Sequence, residues 1–357
     1  MLLSELNPGQ RFLLFLGKNW VVFFLLFLCV LFSFTGTGFL SPKTLNNILI
    51  TSSPALLLAA GETFVIITGG IDLSVGFVRG LISVISAIIM RDLYAAGYSP
   101  YVAILWGIVV GIGIGLLPGL VNGILVAKFR VPPFIATLGI YGVANGFALR
   151  LSQGFPITFL PPEVGEIGNG FVAYFLPGKG YSFFKRPAGM LPEDMRNLIG
   201  VVPFAFLIAL LFILIFAFIL SRTPFGQHTY AIGGNIDAAR RAGIPVDRHL
   251  IKVYMISSFF ASLSGVLATL IFSIGAPTQF ASSLELFAVA AVVIGGASLM
   301  GGKGSMLGTF LGVLVLSVLE IGFLMSGILP FYRYVAVGVT LIIAVLIDQS
   351  FPELVYD

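Results

Sequence analysis

The chain has one cysteine and two histidines in 357 residues, and charged side chains make up only 10% of it. Cys29 lies in an apolar run, so neither a disulfide framework nor a cysteine metal cluster is available. His228 and His249 share one polar stretch and read as solvated loop residues, and no metal site is expected. No HExxH, GxSxG or histidine cluster occurs, so no catalytic residue is assigned. The shortage of charge excludes more. Soluble domains carry about 25% charged residues, and this sequence cannot cover a body of its size with a wet surface.

Hydrophobic residues make up 58% of the chain, and the mean hydropathy is +1.07. These values predict an all-α polytopic membrane protein, with backbone polar groups paired inside helices. The net charge of +4 and pI of about 9.2 do not point to nucleic acid. They fit lysines and arginines gathered in cytoplasmic loops.

A membrane helix needs about 20 mainly apolar residues. Ten candidates occur, near 20–40, 48–68, 76–90, 101–127, 134–152, 201–220, 251–273, 284–300, 306–326 and 332–348. An even number puts both termini on one side. With the N-terminus inside, the cytoplasmic pieces hold Arg11, Lys18, Lys128, Arg130, Arg222, Arg240, Arg241, Arg248, Lys252 and Lys303. The short outer connections hold only Lys43, Arg91 and Arg333, which predicts an N-in, C-in orientation. The opening MLLSELNPGQRFLLFLGKNW contains Glu5 and lacks a small-residue cleavage site, so it reads as an uncleaved interfacial segment.

Residues 153–200 form a charge-balanced external loop between a first half, 1–152 with helices 1–5, and a second half, 201–357 with helices 6–10. Each half contains an apolar segment interrupted by glycine, ITGGIDLSVG (67–76) and VIGGASLMGGKG (293–304). Paired broken segments predict a substrate pathway built on an internal repeat within one transmembrane domain.

Asp72 sits in the first of these segments. An ionised carboxylate at the bilayer centre costs about 2.5–3.5 kcal/mol on insertion scales. Gly69 and Gly70 let the backbone unwind, and Asp72 and Ser74 then offer polar groups to a wet cavity. Asp72 either caps the helix that begins near Ser74 or meets a solute directly. Glu62 is expected to make an interhelical hydrogen bond or to be protonated. Arg79 reaches Asp72 only if the backbone bends; Glu62 or Glu320 would serve it otherwise. Glu285 is expected at an exposed outer helix end, and Gln279 and Phe280 at an outer re-entry where a ring can stack on a sugar.

In the polar stretch 224–250, NIDAARRAG reads as a miniature helix. Asn235 is its N-cap and Asp237 lies near its positive end. Ala238 and Ala239 favour helix, Arg240 and Arg241 suit the negative end, and Gly243 makes a left-handed stop. So short a helix is marginal by itself; it is either a simple connector or a docking peg for a cytoplasmic partner.

Here a family resemblance enters. GETFVIITGGIDLSVG (61–76), VNGILVAKFRVPPFIATLGI (121–140), YAIGGNIDAARRAGIPV (230–246) and AVAAVVIGGASLMGGKGSMLGTFLG (288–312) resemble the permease subunit of ribose-type ATP-binding-cassette importers, over nearly the whole chain. The resemblance implies a type II-like importer permease in the bacterial cytoplasmic (inner) membrane. It passes a ribose- or galactose-like monosaccharide across the bilayer by alternating access. It implies three protein partners: an ATPase subunit carrying ATP and magnesium, an extracytoplasmic solute-binding protein, and a second permease copy, as a homodimer or a heterodimer. It also makes 235–243 the coupling helix, and no cofactor is expected on this chain.

The stretch 163–197 departs from the family's short connection and resembles a folded external element, either an interface or a passive insert. A nucleoside or branched-chain amino-acid permease is the alternative, with an ion-coupled carrier a weaker one. Such a carrier has no need of the 230–246 loop. ASLMGGKGS is superficially similar to a phosphate loop, but Ala297 and Gly304 replace its first glycine and its Ser/Thr.

Overall fold

The computed structural model describes residues 17, 19–178, 180–187, 194–277, 283–329, 331–332, 335–340, 342 and 346. The expected N-terminal segment and much of the last expected span, 332–348, lie outside this set, as do Gln279 and Phe280.

Helix α1 covers Trp20–Thr35, α2 Pro42–Ile67, α3 Val75–Ala95, α4 Pro100–Ala127 and α5 Pro133–Ser152. After them come a short α6 (Glu163–Gly168), strands β1 (Phe171–Leu176) and β2 (Gly180–Phe183), α7 (Asp194–Asn197) and β3 (Ile199–Pro203). The second helical set is α8 (Phe204–Arg222), α9 (Pro224–Gly234), α10 (Ile236–Arg241), α11 (Val246–Phe272), α12 (Leu284–Ile294) and α13 (Met306–Met325). Six of the described helices are long and apolar enough to cross a membrane: α2, α4, α5, α8, α11 and α13.

The all-α expectation needs one correction. The connection between the halves folds into a three-stranded antiparallel sheet, ordered β2–β1–β3. Asn46 of α2 holds β3 by donating from Nδ2 to Gly200 O at 2.7 Å. β3 also runs across the expected boundary at residue 200.

A second correction concerns 284–300. Helix α12 ends at Ile294 after 11 residues; at 1.5 Å per residue it covers only about 16 Å, half the hydrocarbon thickness. In the other direction, the expected short span at 76–90 is a 21-residue helix. Arg91 and Asp92 lie in its last turns and pair at 2.8 Å, so charge does not end it. Pro118 likewise lies inside a continuous α4.

Ser41, Ser99 and Ser305 cap α2, α4 and α13 through their side-chain oxygens. Two helices form the centre: 89% of the apolar window of α2 and 78% of that of α11 are enclosed by protein, against 22–28% for α4, α5 and α8. The apolar side chains of the outer helices are largely left uncovered by the rest of this chain. Helix α4 approaches its neighbours through glycines at every fourth position, Gly107, Gly111, Gly115, Gly119 and Gly123. A methyl group on the first two would strike Met90 and Ser86 of α3, and on the last three Ser262, Tyr254 and Ile251 of α11. Small residues on one face let backbones touch where no water-driven force joins the helices.

Candidate functional site

The two glycine-broken segments are clean helix stops with the same bonding. At the end of α2, Gly69 N–H donates to Ile66 O at 2.9 Å and Gly70 N–H to Val65 O at 3.0 Å. At the end of α12, Gly296 N–H donates to Val293 O at 2.9 Å and Ala297 N–H to Val292 O at 3.1 Å. Gly69 and Gly296 have φ of +80° and +89°, the left-handed turn that closes such a cap and favours glycine. The backbone at Gly69 and Gly70 is thus tied, not unwound.

Beyond Gly70 the chain crosses between α2 and α3 in a buried polar knot. Asp72 N–H donates to Glu62 Oε1 at 3.0 Å, so Glu62 serves the turn rather than another helix. Asp72 Oδ1 accepts from Ser74 N–H at 3.0 Å and from the Ser74 hydroxyl, and Oδ2 accepts from Ser257 of α11 at 2.8 Å. Asn122 of α4 donates to Ser74 Oγ at 3.0 Å, and Thr137 Oγ1 of α5 accepts from Leu73 N–H at 3.2 Å. One non-helical turn is therefore satisfied by four helices, the condition for irregular backbone at membrane depth. Asp72 is 1% exposed. It holds Ser74, the residue before α3, without capping the first amides of that helix, and its carboxylate is enclosed rather than turned to a cavity.

Three expectations change here. Asp72 and Arg79 do not pair: serines hold both Asp72 oxygens, and Arg79 Nε is buried without a hydrogen-bond partner among the described residues. Glu285 is buried, not exposed, with Oε2 packed on Gly76 of α3. His249 is 4% exposed, accepts or donates at Nε2 to Thr229 Oγ1 over 2.9 Å, and lies on the Phe225 ring, so it belongs to a packed foot and not to a solvated loop.

Helix α10 is capped as its sequence demands. Asn235 Oδ1 accepts from Ala238 N–H at 2.9 Å. Gly243, at φ +83°, donates to Arg240 O at 3.1 Å and ends the helix. Asn235, Ile236, Asp237, Ala238, Arg240 and Arg241 are exposed. Arg240 also reaches Asp247 at 3.1 Å. Ala239 points the other way, into an apolar cluster with Ala127, Ile232, Val246 and Leu250.

Helix α9 carries this stub onto the two breaks. Gly302 N–H donates to Ile67 O at 2.8 Å, which joins the second break to the first. Gly233, at the end of α9, packs so closely that a methyl group there would collide with Ile67 O and Gly302 N. Tyr230 donates its hydroxyl hydrogen to Gly304 O at 2.8 Å. Beside the junction lies a cavity of about 380 Å³, lined in part by Thr68, Gly69, Gly70, Tyr254, Ile236 and Arg240. Of the expected pathway residues, Gly69 and Gly70 reach this cavity, whereas Asp72, Ser74 and Glu62 lie in the knot behind it.

Sequence reasoning missed Asn122, Thr137, Ser257, Tyr230, Gly233 and Gly302. The first three are polar interruptions of apolar helices, a readable sign. Tyr230, Gly233 and Gly302 lie inside stretches that the sequence analysis singles out, but nothing local shows that they meet.

Several apolar helices around a buried polar turn, with a polar stub at one end, define a multi-pass membrane protein. The chain belongs to the family described as "Branched-chain amino acid transport system / permease component", whose model matches residues 44–345. It is 36% identical to the ribose import permease protein of Bacillus subtilis, over 91% of each chain. It is 34% identical to a probable ABC transporter permease protein of Sinorhizobium fredii, over 85% of this chain and 80% of that one. With the galactose/methyl galactoside import permease protein of Escherichia coli the identity is 32%, over 97% and 98%. No solved structure matches the chain. It is a transport component rather than an enzyme and a multi-pass inner membrane protein.

Proposed function

We propose that this chain is the membrane-spanning subunit of an ATP-driven importer for a ribose- or galactose-like monosaccharide. The sugar class is supported by similarity to ribose and galactose permeases along almost the full length. These relatives favour sugar over the amino acid in the family's description. A separate ATPase subunit binds ATP and magnesium, and a solute-binding protein delivers the sugar from outside. Two permease copies, in a homodimer, enclose the path.

In this reading the chain makes ten passes with both termini inside, the short α12 and the broken segment after it making one pass together, and its two halves are related as a repeat. The like-bonded stops at Gly69 and Gly296 support the repeat. Arg240 and Arg241 of α10, with Arg248 and Lys252 beyond it, support a cytoplasmic place for this foot. Helix α10 is the coupling helix, and Asn235, Asp237, Ala238 and Arg241 meet the ATPase while Ala239 anchors the stub from within.

One observation carries the mechanism: the seat of Gly233 on the Ile67–Gly302 bond. Closure of the ATPase dimer shifts α10. The shift passes through the α9 terminus to both breaks at once, and with them to α3 and α13. No chemistry is done on the sugar; partners that bind one state better move the equilibrium. The cavity beside Gly69 and Gly70 is the inner part of the path.

The test is uptake of labelled ribose and galactose into proteoliposomes holding this permease, its ATPase and its binding protein. Uptake should need ATP inside and the binding protein outside. Uptake driven by an ion gradient with the ATPase left out would overturn the proposal.

A further inference from the structure

The small sheet leaves one edge uncovered. β1 lies in the middle and β3 is held on α2, so β2 is the outer strand. Its side chains and those just after it are aromatic and basic: Tyr181, Phe183 and Phe184 are 66–70% exposed, and Lys185 and Arg186 are exposed beside them. The height of this edge relative to the helices is fixed by one contact. The Phe184 ring stacks on that of Phe204, centroids 6.3 Å apart and planes 7° from parallel. Phe204 is the first residue of α8, whose exposed Leu207, Leu211, Leu214 and Phe218 follow at helical spacing. The edge therefore stands where a lipid-facing helix enters the apolar layer, and its rings continue that helix's surface.

We propose that the segment from Tyr181 to Arg186 is an interfacial anchor lying on the membrane, its rings at headgroup depth and its two cations on lipid phosphates. Aromatic rings collect at that depth because one part is apolar and the setting is only half wet. Lysine and arginine lay their stems on apolar surface and hold the charge among the headgroups. The leaflet concerned is the outer one, which rests on the orientation proposed above; the anchoring itself does not depend on it.

The test uses the complete importer in nanodiscs of phosphatidylethanolamine and phosphatidylglycerol. Trp20 and Trp106 are replaced by phenylalanine, and Phe183→Trp is the reporter, with Tyr181→Trp as a second reporter in case the first does not fold. Lipids brominated near the headgroup end of the acyl chain, present in both leaflets, should quench the reporter more than lipids brominated near the chain end. Aqueous iodide should quench it weakly, and adding the binding protein should change neither result. Lys185→Gln with Arg186→Gln should lower the quenching by lipids brominated near the headgroup end. Strong iodide quenching without lipid quenching would overturn the proposal. So would protection that appears only with the binding protein, which would assign the edge to that partner. Failure of sugar uptake would count against the proposed function but leave the quenching result standing.

Discussion

Ser257 donates its hydroxyl hydrogen to Asp72 Oδ2 over 2.8 Å, joining α11 to the turn between α2 and α3. The two residues are 185 positions apart, so this bond helps to fix one half of the chain against the other. In so apolar a region the carboxylate oxygens hold hydroxyl and amide groups that would otherwise be buried without partners.

Removing that carboxylate leaves Ser257 and the Ser74 amide without acceptors. Each orphaned group costs about 1–3 kcal/mol, so Asp72→Leu should lower the melting temperature of the detergent-purified permease and abolish uptake. A variant as stable and active as the parent would show that the knot does not hold the turn.

Gly233 and Gly234 are neighbours with opposite surroundings. A methyl group on Gly233 meets the backbone of both breaks, while one on Gly234 meets nothing within 4 Å. Gly233→Ala should cost about 1–3 kcal/mol through overpacking and lose coupled transport; Gly234→Ala should retain it. Uptake assays on the pair, matched for expression, would expose equal behaviour if the contact has no role.

The stub offers a similar contrast. Asp237→Arg or Ala238→Trp changes only the exposed face, so the protein should stay folded while ATP hydrolysis loses its dependence on transport. Ala239→Trp should destabilise the foot instead, because Ala239 is 4% exposed among apolar neighbours. ATPase rates and thermal scans on the three variants separate the two effects; normal coupling in the Asp237 and Ala238 variants would rule out docking at that face.

On α4, Gly119→Val drives a branched side chain into Tyr254 O and Ser258 of α11. The expected loss is about 1–3 kcal/mol or more from overpacking, visible as a lower melting temperature and poor membrane yield. Gly142→Ala on α5 has open space around it and should be silent. Equal tolerance at both positions would contradict the close packing.

Much of this architecture was legible because each feature is local in sequence. The cap at Asn235, the stop at Gly243 and the breaks at Gly69 and Gly296 depend on residues within one turn of themselves. The small sheet and the burial of Glu285 and His249 were not legible. Each depends on partners far along the chain: Glu285 is enclosed by Gly76, and His249 by Phe225 and Thr229. The ring-rich run FVAYFL has the apolar content of a helix fragment; only pairing with its neighbours makes it a strand.

The glycine face of α4 has a mechanical result. Where Gly119 and Gly123 rest on the main chain of α11 at Tyr254 and Ile251 there are no rotamers to absorb a displacement, so α4 and α11 behave as one stiff plate. A displacement of one therefore carries the other with it.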